Sequence, residues 1–395
     1  MLFQKCLLAS FSVLLAGSML LNTSAARAQD VRNNWASTQE SQVNHLPNEK
    51  HSLVQQTMDD LVKRKEVPGI LAQVVKDGQV WSYGAGQASI YSDRKMDPEF
   101  HYRIGSITKT FVATVMLQLA EENKLSLDDS VEKWLPGVVQ GNGYDGSNIT
   151  IRQLLNHTSG IANYTSEDFI KRIIVEKPYQ TYSADELIRL GLEQKPLFEP
   201  GKGWSYSNTN YVLAGVIIQK VTGKTYGENI EARIIAKLGL KDTSVAGTKS
   251  SLPDPHARGY ITLDGRGYID ITELNPSWGN AAGDMISTAK DLNVFFSALL
   301  GGKLLSKESM TQMLDGVETP IGRYGLGIYE VTKRADGESV WGHSGGIHGF
   351  GSQSGGTLDG KHVMSANVNI LQFAGSPANP HDEIFRAEFN GADKP

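Results

Sequence analysis

One stretch, Gly105-Ser106-Ile107-Thr108-Lys109-Thr110-Phe111-Val112-Ala113-Thr114-Val115-Met116-Leu117-Gln118-Leu119-Ala120-Glu121-Glu122, constrains the fold more than any other. Its composition predicts a helix of about four to five turns at 3.6 residues per turn. Phe111, Val112, Val115, Met116, Leu117 and Leu119 occupy every face rather than one stripe. A helix apolar all round belongs in the core of a large domain. Glu121 and Glu122 put charge at its end, and the polar exception is at its start, where Ser106 and Lys109 stand three residues apart. That spacing puts a hydroxyl and an amine on one face of the first turn. The pair is a candidate nucleophile and base.

The 395-residue chain is long enough for one large domain or two lobes around such a helix. A formal charge of −5 offers no electrostatic reason for nucleic acid or an anionic membrane as partner. At the N-terminus, Lys5, an apolar run over 7–21 and Ala26-Arg27-Ala28 read as a signal peptide cleaved after Ala28. The apolar run is short for a membrane-spanning helix, so secreted or periplasmic localisation without stable membrane insertion is expected. Cys6, the sole cysteine, lies inside that segment, so the mature chain is expected to lack disulfides. Residues 29–48 are polar and read as a disordered lead-in, with the folded domain over 49–395.

Within that domain, residues 52–65 have helical spacing. Residues 70–76, the turn Asp77-Gly78 and residues 80–83 predict a β-hairpin. The middle of the chain is mostly helical. Strand-like runs return over 325–331, 338–342, 352–358 and 361–369, and a last helix is expected over 380–390. The economical arrangement is α+β. One antiparallel sheet is built from about 49–105 and 320–395, is flanked by helices, and carries a large, mostly helical inserted region over about 106–319.

Ser-x-x-Lys occurs four times, as Ser92/Lys95, Ser106/Lys109, Ser130/Lys133 and Ser287/Lys290. The first lies in a charged loop and the third in a solvated turn, and Ser287 is expected to cap a helix. Only Ser106 opens a buried helix, where backbone N–H groups favour developing negative charge. Tyr206-Ser207-Asn208 is the sole Tyr-x-Asn among 14 tyrosines. A phenol beside a lysine cation can have its pKa lowered and shuttle a proton. His343-Ser344-Gly345-Gly346 is placed at a strand end, where glycines let a substrate backbone approach the sheet edge. His157, His343 and His348 are not at zinc spacing, so no metal is expected. His157 is read as a loop brace.

These three motifs, in this order, resemble those of the serine penicillin-recognising enzymes, which share Ser-x-x-Lys, Ser/Tyr-x-Asn and Lys/His-Ser/Thr-Gly. The chain looks most similar to secreted D-alanyl-D-alanine carboxypeptidases and next to class C β-lactamases with their esterase and D-aminopeptidase relatives. The resemblance spans about 53–369 and includes residues 154–160 and 283–288. It implies a β-lactamase/DD-peptidase-like fold and acyl-enzyme chemistry without a cofactor, acting on D-alanyl peptides or β-lactams, in a monomer. It implies that Ser106 is acylated, that Lys109 helps deprotonate it, and that Tyr206 passes the proton to the leaving group and later activates water. It implies that Asn208 orients Lys109 and a substrate carbonyl, and that the N–H groups of Ser106 and Gly346 form the oxyanion hole. His343, replacing a lysine, lines the pocket with Ser344 and Gly345, and Trp278 walls it.

Two positions depart from the carboxypeptidase pattern. Gly325-Leu326-Gly327-Ile328 is followed by Tyr329, where those enzymes place an arginine for the substrate carboxylate. Gly346 stands where they carry a hydroxyl. Esterase, D-amino-acid amidase or aminopeptidase, and β-lactamase activities therefore stand beside the carboxypeptidase expectation.

Overall fold

The computed structural model describes residues 51–262, 267–371 and 380–391. The signal peptide and lead-in expectations lie outside the described residues. Helix α1 (Ser52–Lys63) precedes the hairpin of β1 (Gly69–Lys76) and β2 (Gln79–Gly86). Asp77 and Gly78 both take positive φ, 51° and 78°, the turn whose twist matches a two-residue hairpin. The central segment is a 3-10 turn over Gly105–Ile107 followed by α2 (Thr108–Glu121), so Ser106 precedes the α-helix proper. Helices α3 (Asn208–Thr222) and α4 (Ala289–Leu300) follow. Strands β3 (Val317–Thr319), β4 (Gly322–Tyr324), β5 (Tyr329–Lys333), β6 (Ser339–Ile347), β7 (Phe350–Gly356) and β8 (His362–Val368), then helix α5 (Pro380–Phe389), complete the labelled elements.

The main sheet has eight strands in the order β3-β4-β5-β6-β7-β8-β1-β2. Hairpin and C-terminal strands join where β1 pairs antiparallel with β8, from Ile70 opposite Val368 to Lys76 opposite His362. Period-two alternation splits β1 between two cores. Ile70, Ala72 and Val74 pack with α1 and α5 through Met58, Leu61, Ile384 and Phe385, whereas Leu71 belongs to the larger core around α2, α3 and α4.

That larger core surrounds α2, in which every residue from Thr108 to Leu119 is buried. Phe111 stacks on Phe295 of α4 with centroids 3.7 Å apart. Each fully buried side chain of this size contributes about 1.5–3 kcal/mol. The buried hydroxyls and the Gln118 amide nitrogen find partners, while Gln118 Oε1 has none. Thr110 Oγ1 donates to the Gly327 carbonyl at 2.7 Å and Gln118 Nε2 to the Leu304 carbonyl at 3.1 Å.

Three local expectations are corrected. Ser287 is not a helix cap. It ends a short strand, Met285–Ser287, is fully buried, and meets Thr243 Oγ1 at 2.8 Å. Thr288 caps α4 instead, accepting from Asp291 N–H. Residues 325–328 are not strand, because Gly327 takes φ 67° and its backbone lies against Lys109 and Ala113 of α2. The His343 motif lies inside β6, which continues to Ile347, rather than at a strand end. Among the described residues no helix is long and apolar enough to cross a membrane.

Candidate active site

The turn before α2 and the strand β6 meet through glycine. Gly105 has φ 51°, and a Cβ there would stand 2.6 Å from Gly346 N. A Cβ on Gly345 would sit 1.9 Å from the Ile104 carbonyl oxygen and 3.0 Å from Ser106 N. No residue with a side chain fits either position. The close approach brings Ser106 and Gly346 onto one narrow slot, walled by Tyr164, Trp278 and Ile347. Their backbone N–H groups are the expected oxyanion donors.

Lys109 stands beneath the slot, fully buried, with three oxygens around Nζ. Ser106 Oγ is at 3.0 Å, Asn208 Oδ1 at 2.7 Å and the Ala282 carbonyl at 2.8 Å. Burial holds the ammonium pKa well below its usual value, favouring the neutral amine. A neutral amine has two N–H groups and one lone pair. The amide and peptide oxygens can only accept, so they take the two N–H groups, and the lone pair is left for the Ser106 hydroxyl. Asn208 is held in that orientation because its Nδ2 donates to Thr165 Oγ1 at 3.0 Å.

Tyr206 borders the same pair, with Lys109 Nζ 4.8 Å from its ring centroid. Its acidity runs opposite to the sequence expectation. Burial pushes the phenol pKa up, and a hydrogen bond with Ser106 opposes this only in part. With Lys109 neutral there is no adjacent cation to lower it, so Tyr206 remains a phenol able to give a proton.

His343 is also displaced from its expected role. It does not line the slot. Its ring is buried, 5.3 Å from Tyr329 and 6.4 Å from Tyr206, with Nε2 2.8 Å from the Tyr324 hydroxyl. Burial lowers its pKa to about 3. Tyr329 is in hydrogen-bond contact with Ser344, and burial raises its pKa to about 12. Trp278 walls the slot as expected, donating from Nε1 to His348 Nε2 at 2.6 Å, and its carbonyl accepts from Tyr164 O–H.

The structure therefore gathers Ser106, Lys109, Tyr206, Asn208, Trp278, Gly345 and Gly346 around one slot. His343 stands behind it, and Ser344 faces Tyr329. Sequence reasoning missed the Ala282 carbonyl, which has no side-chain signature. It missed Tyr324, whose only signal is its place before Gly325-Leu326-Gly327, and it missed Tyr164 and Thr165. Among the described residues no group of three His, Cys, Asp or Glu side chains is placed to hold a metal ion.

Penicillin-binding protein 4* of Bacillus subtilis is 29% identical over 76% of this chain and 68% of its own length. Protein flp of Staphylococcus aureus is 27% identical over 72% of this chain, which spans only 56% of that relative. Among solved structures, a D-stereospecific amidohydrolase from Streptomyces sp. is 42% identical, with a TM-score of 0.80 over 87% of this chain and 99% of its own. D-amino acid amidase from Ochrobactrum anthropi SV3 is 30% identical, with a TM-score of 0.73 over 86% and 98%. The Beta-lactamase family model matches residues 54–387, which takes in the sheet, α2 and all three motifs, and the chain is thus a member of that family of serine hydrolases.

Proposed function

We propose that the protein is a D-stereospecific amidohydrolase that cleaves amide bonds after a D-residue through an acyl-enzyme on Ser106. The observation that carries this reading is the side chain at position 329. Tyr329, a phenol whose pKa burial pushes up to about 12, stands where a carboxypeptidase would place arginine. A neutral phenol at that position gives no cation to a substrate's terminal carboxylate, but it accepts a neutral amide. The 42% identity with a D-stereospecific amidohydrolase supports the same choice.

The chemistry follows from the proton positions. Ser106 Oγ attacks the carbonyl carbon as its proton passes to the Lys109 lone pair, and the oxyanion rests on the N–H groups of Ser106 and Gly346. The C–N bond breaks as Tyr206 gives its proton to the leaving nitrogen, and the phenolate is restored from Lys109. The net proton path is thus from Ser106 to the departing amine. Water then attacks the ester with the proton flow reversed, releasing acid and restoring the Ser106 hydroxyl. The signal peptide expectation adds export from the cytoplasm, which N-terminal sequencing of the mature protein tests.

The deciding experiment sets D-amino-acid amides, p-nitrophenyl esters and a D-alanyl-D-alanine peptide against the purified protein, with intact mass after benzylpenicillin in parallel. Turnover of D-amides at least about tenfold above the carboxypeptide supports the proposal. Preference for the carboxypeptide together with a long-lived penicilloyl adduct on Ser106 would replace it with the carboxypeptidase reading. That alternative has its own support in the Tyr-x-Asn and His-Ser-Gly motif forms and in the similarity to penicillin-binding protein 4*.

A further inference from the structure

Two buried histidines and a buried tyrosine behind the slot have roles in none of the steps above. His157 takes φ 64° directly after the helix Ile151–Leu155 and its C-cap. Its Nδ1 lies 3.2 Å from Ser207 N and 3.3 Å from Asn210 Nδ2, and its Nε2 lies 3.2 Å from Tyr324 Oη. Tyr324 Oη lies 2.8 Å from His343 Nε2, and His343 Nδ1 lies 2.6 Å from the Ser344 carbonyl oxygen.

The two backbone ends fix every proton in between. Ser207 N–H can only donate, so His157 Nδ1 accepts and its proton sits on Nε2. The Ser344 carbonyl can only accept, so His343 carries its proton on Nδ1 and accepts at Nε2. Tyr324 then has one consistent role, accepting from His157 and donating to His343. The chain runs one way only, from Ser207 N–H to Ser344 C=O, with two neutral imidazoles in opposite tautomers.

We propose that Tyr324 and His157 are positioning residues of the acylation site, joining the Tyr206 segment to β6 through this one-directional hydrogen-bond chain. Ser207 adjoins Tyr206, whose ring also packs on His157 with centroids 4.3 Å apart. Ser344 is two residues from Gly346. The chain therefore sets the proton donor against the oxyanion hole across two separate parts of the fold. A displacement of one ångström between such groups can cost about a hundredfold in rate. The titratable groups facing the two rings are Lys109, Tyr206, Tyr211, Tyr324 and Tyr329. A proton added to His343 Nε2 sets two N–H groups against the one Tyr324 oxygen, and one added to His157 Nδ1 meets the Ser207 N–H head-on.

The proposal rests on Ser106, Lys109 and Tyr206 being the reacting groups, and its test separates the two. In nitrogen-15 spectra of the histidine-labelled wild type at pH 7, His157 is expected as the Nε2–H tautomer and His343 as the Nδ1–H tautomer. Matching tautomers, or an imidazolium at either ring, would overturn the chain whatever the enzyme hydrolyses. In Tyr324→Phe, kcat on a D-amino-acid amide is expected to fall about tenfold or more with KM within about twofold. The low-pH limb of kcat/KM should move to higher pH, because His343 loses the donor that favours its neutral form. A folded Tyr324→Phe enzyme with unchanged kcat and an unmoved limb would overturn the positioning role. Absence of any acyl adduct on wild-type Ser106 overturns the catalytic reading instead and leaves the tautomers standing.

Discussion

Two buried histidine clusters in this molecule treat charge in opposite ways. Behind the active site, His157 and His343 share a tyrosine hydroxyl, and burial drives both toward the neutral form. At the outer face of the sheet, Glu388 of α5 accepts from His51 Nδ1 at 2.8 Å and His362 Nε2 at 2.7 Å. Burial alone would raise the Glu388 carboxyl, yet the hydrogen bonds from His362 and His51 outweigh it and hold its pKa below the usual range. Both clusters are nearly inaccessible, so burial does not distinguish them. The difference is whether a partner bonds the charged form. Where one does, an ion persists inside the protein, and where none does, desolvation wins. A serine hydrolase that needs a free lysine lone pair is served by the first arrangement. Fastening the segments around His51, β8 and α5 is served by the second.

The largest expected effect separates the clusters by function. Ser106→Ala should lower hydrolysis about 10⁴-fold or more and abolish any penicilloyl mass, while leaving the melting curve close to wild type. Glu388→Gln should do the reverse. Removing the buried carboxylate from between its two donors should cost about 3 kcal/mol in denaturant unfolding, with kcat/KM within about twofold of wild type. A Glu388→Gln enzyme that lost activity without losing stability would erase the division.

Acid titration sharpens the same contrast. His343 has its pKa held near 3 against 6.5 unfolded, so its contribution is complete above pH 6.5 and is lost as pH falls toward 3. His157, His348 and His381 shift in the same direction. Glu388, also depressed, keeps its contribution above about 4.5 and loses it only below. Asp284, raised to about 7 by burial, slopes the other way between 3.8 and 7, and burial raises Asp291 and Asp382 in the same sense. With about 1.4 kcal/mol per pKa unit, four depressed rings and the depressed Lys109 amine outnumber these three carboxyls, and the net expectation is a melting temperature that falls from pH 6.5 to 4.5. Glu388→Gln should leave that limb unchanged and soften the fall below it. Calorimetry showing no slope from pH 7 to 4.5 would contradict the neutral cluster. The smallest effect is expected for Ser287→Ala, which loses the bond to Thr243 and a long one to the Thr288 carbonyl, about 1 kcal/mol, and leaves turnover unchanged.

Much of the architecture is legible in the residues. All-round apolarity in α2, the Asp77-Gly78 turn and the strand-like runs near both ends suffice for one antiparallel sheet around a buried helix. The choice of Ser106 among four Ser-x-x-Lys pairs also follows from local pattern. A serine before a helix resembles a cap, and only the pairing of Ser287 with Tyr102 and of Ile286 with Arg103 shows it to be strand. Residues 325–328 look like strand by composition, but contact of Gly327 with α2 turns them out of the ladder.

What the sequence alone determined is which groups exist and which segments are buried, because helical and strand periodicities are local. What only the tertiary structure decided is their ionisation and direction. Lys109 and Asn208 are 99 residues apart, and His157 and Tyr324 are 167 apart, and no local pattern encodes that they touch. Desolvation, hydrogen-bond partners and tautomers depend on those contacts. Tyr206 therefore reads from sequence as an acidified phenol and stands in the fold as a protonated one. The physical reason is that a pKa belongs to an environment, and that environment is assembled from residues distant in the chain.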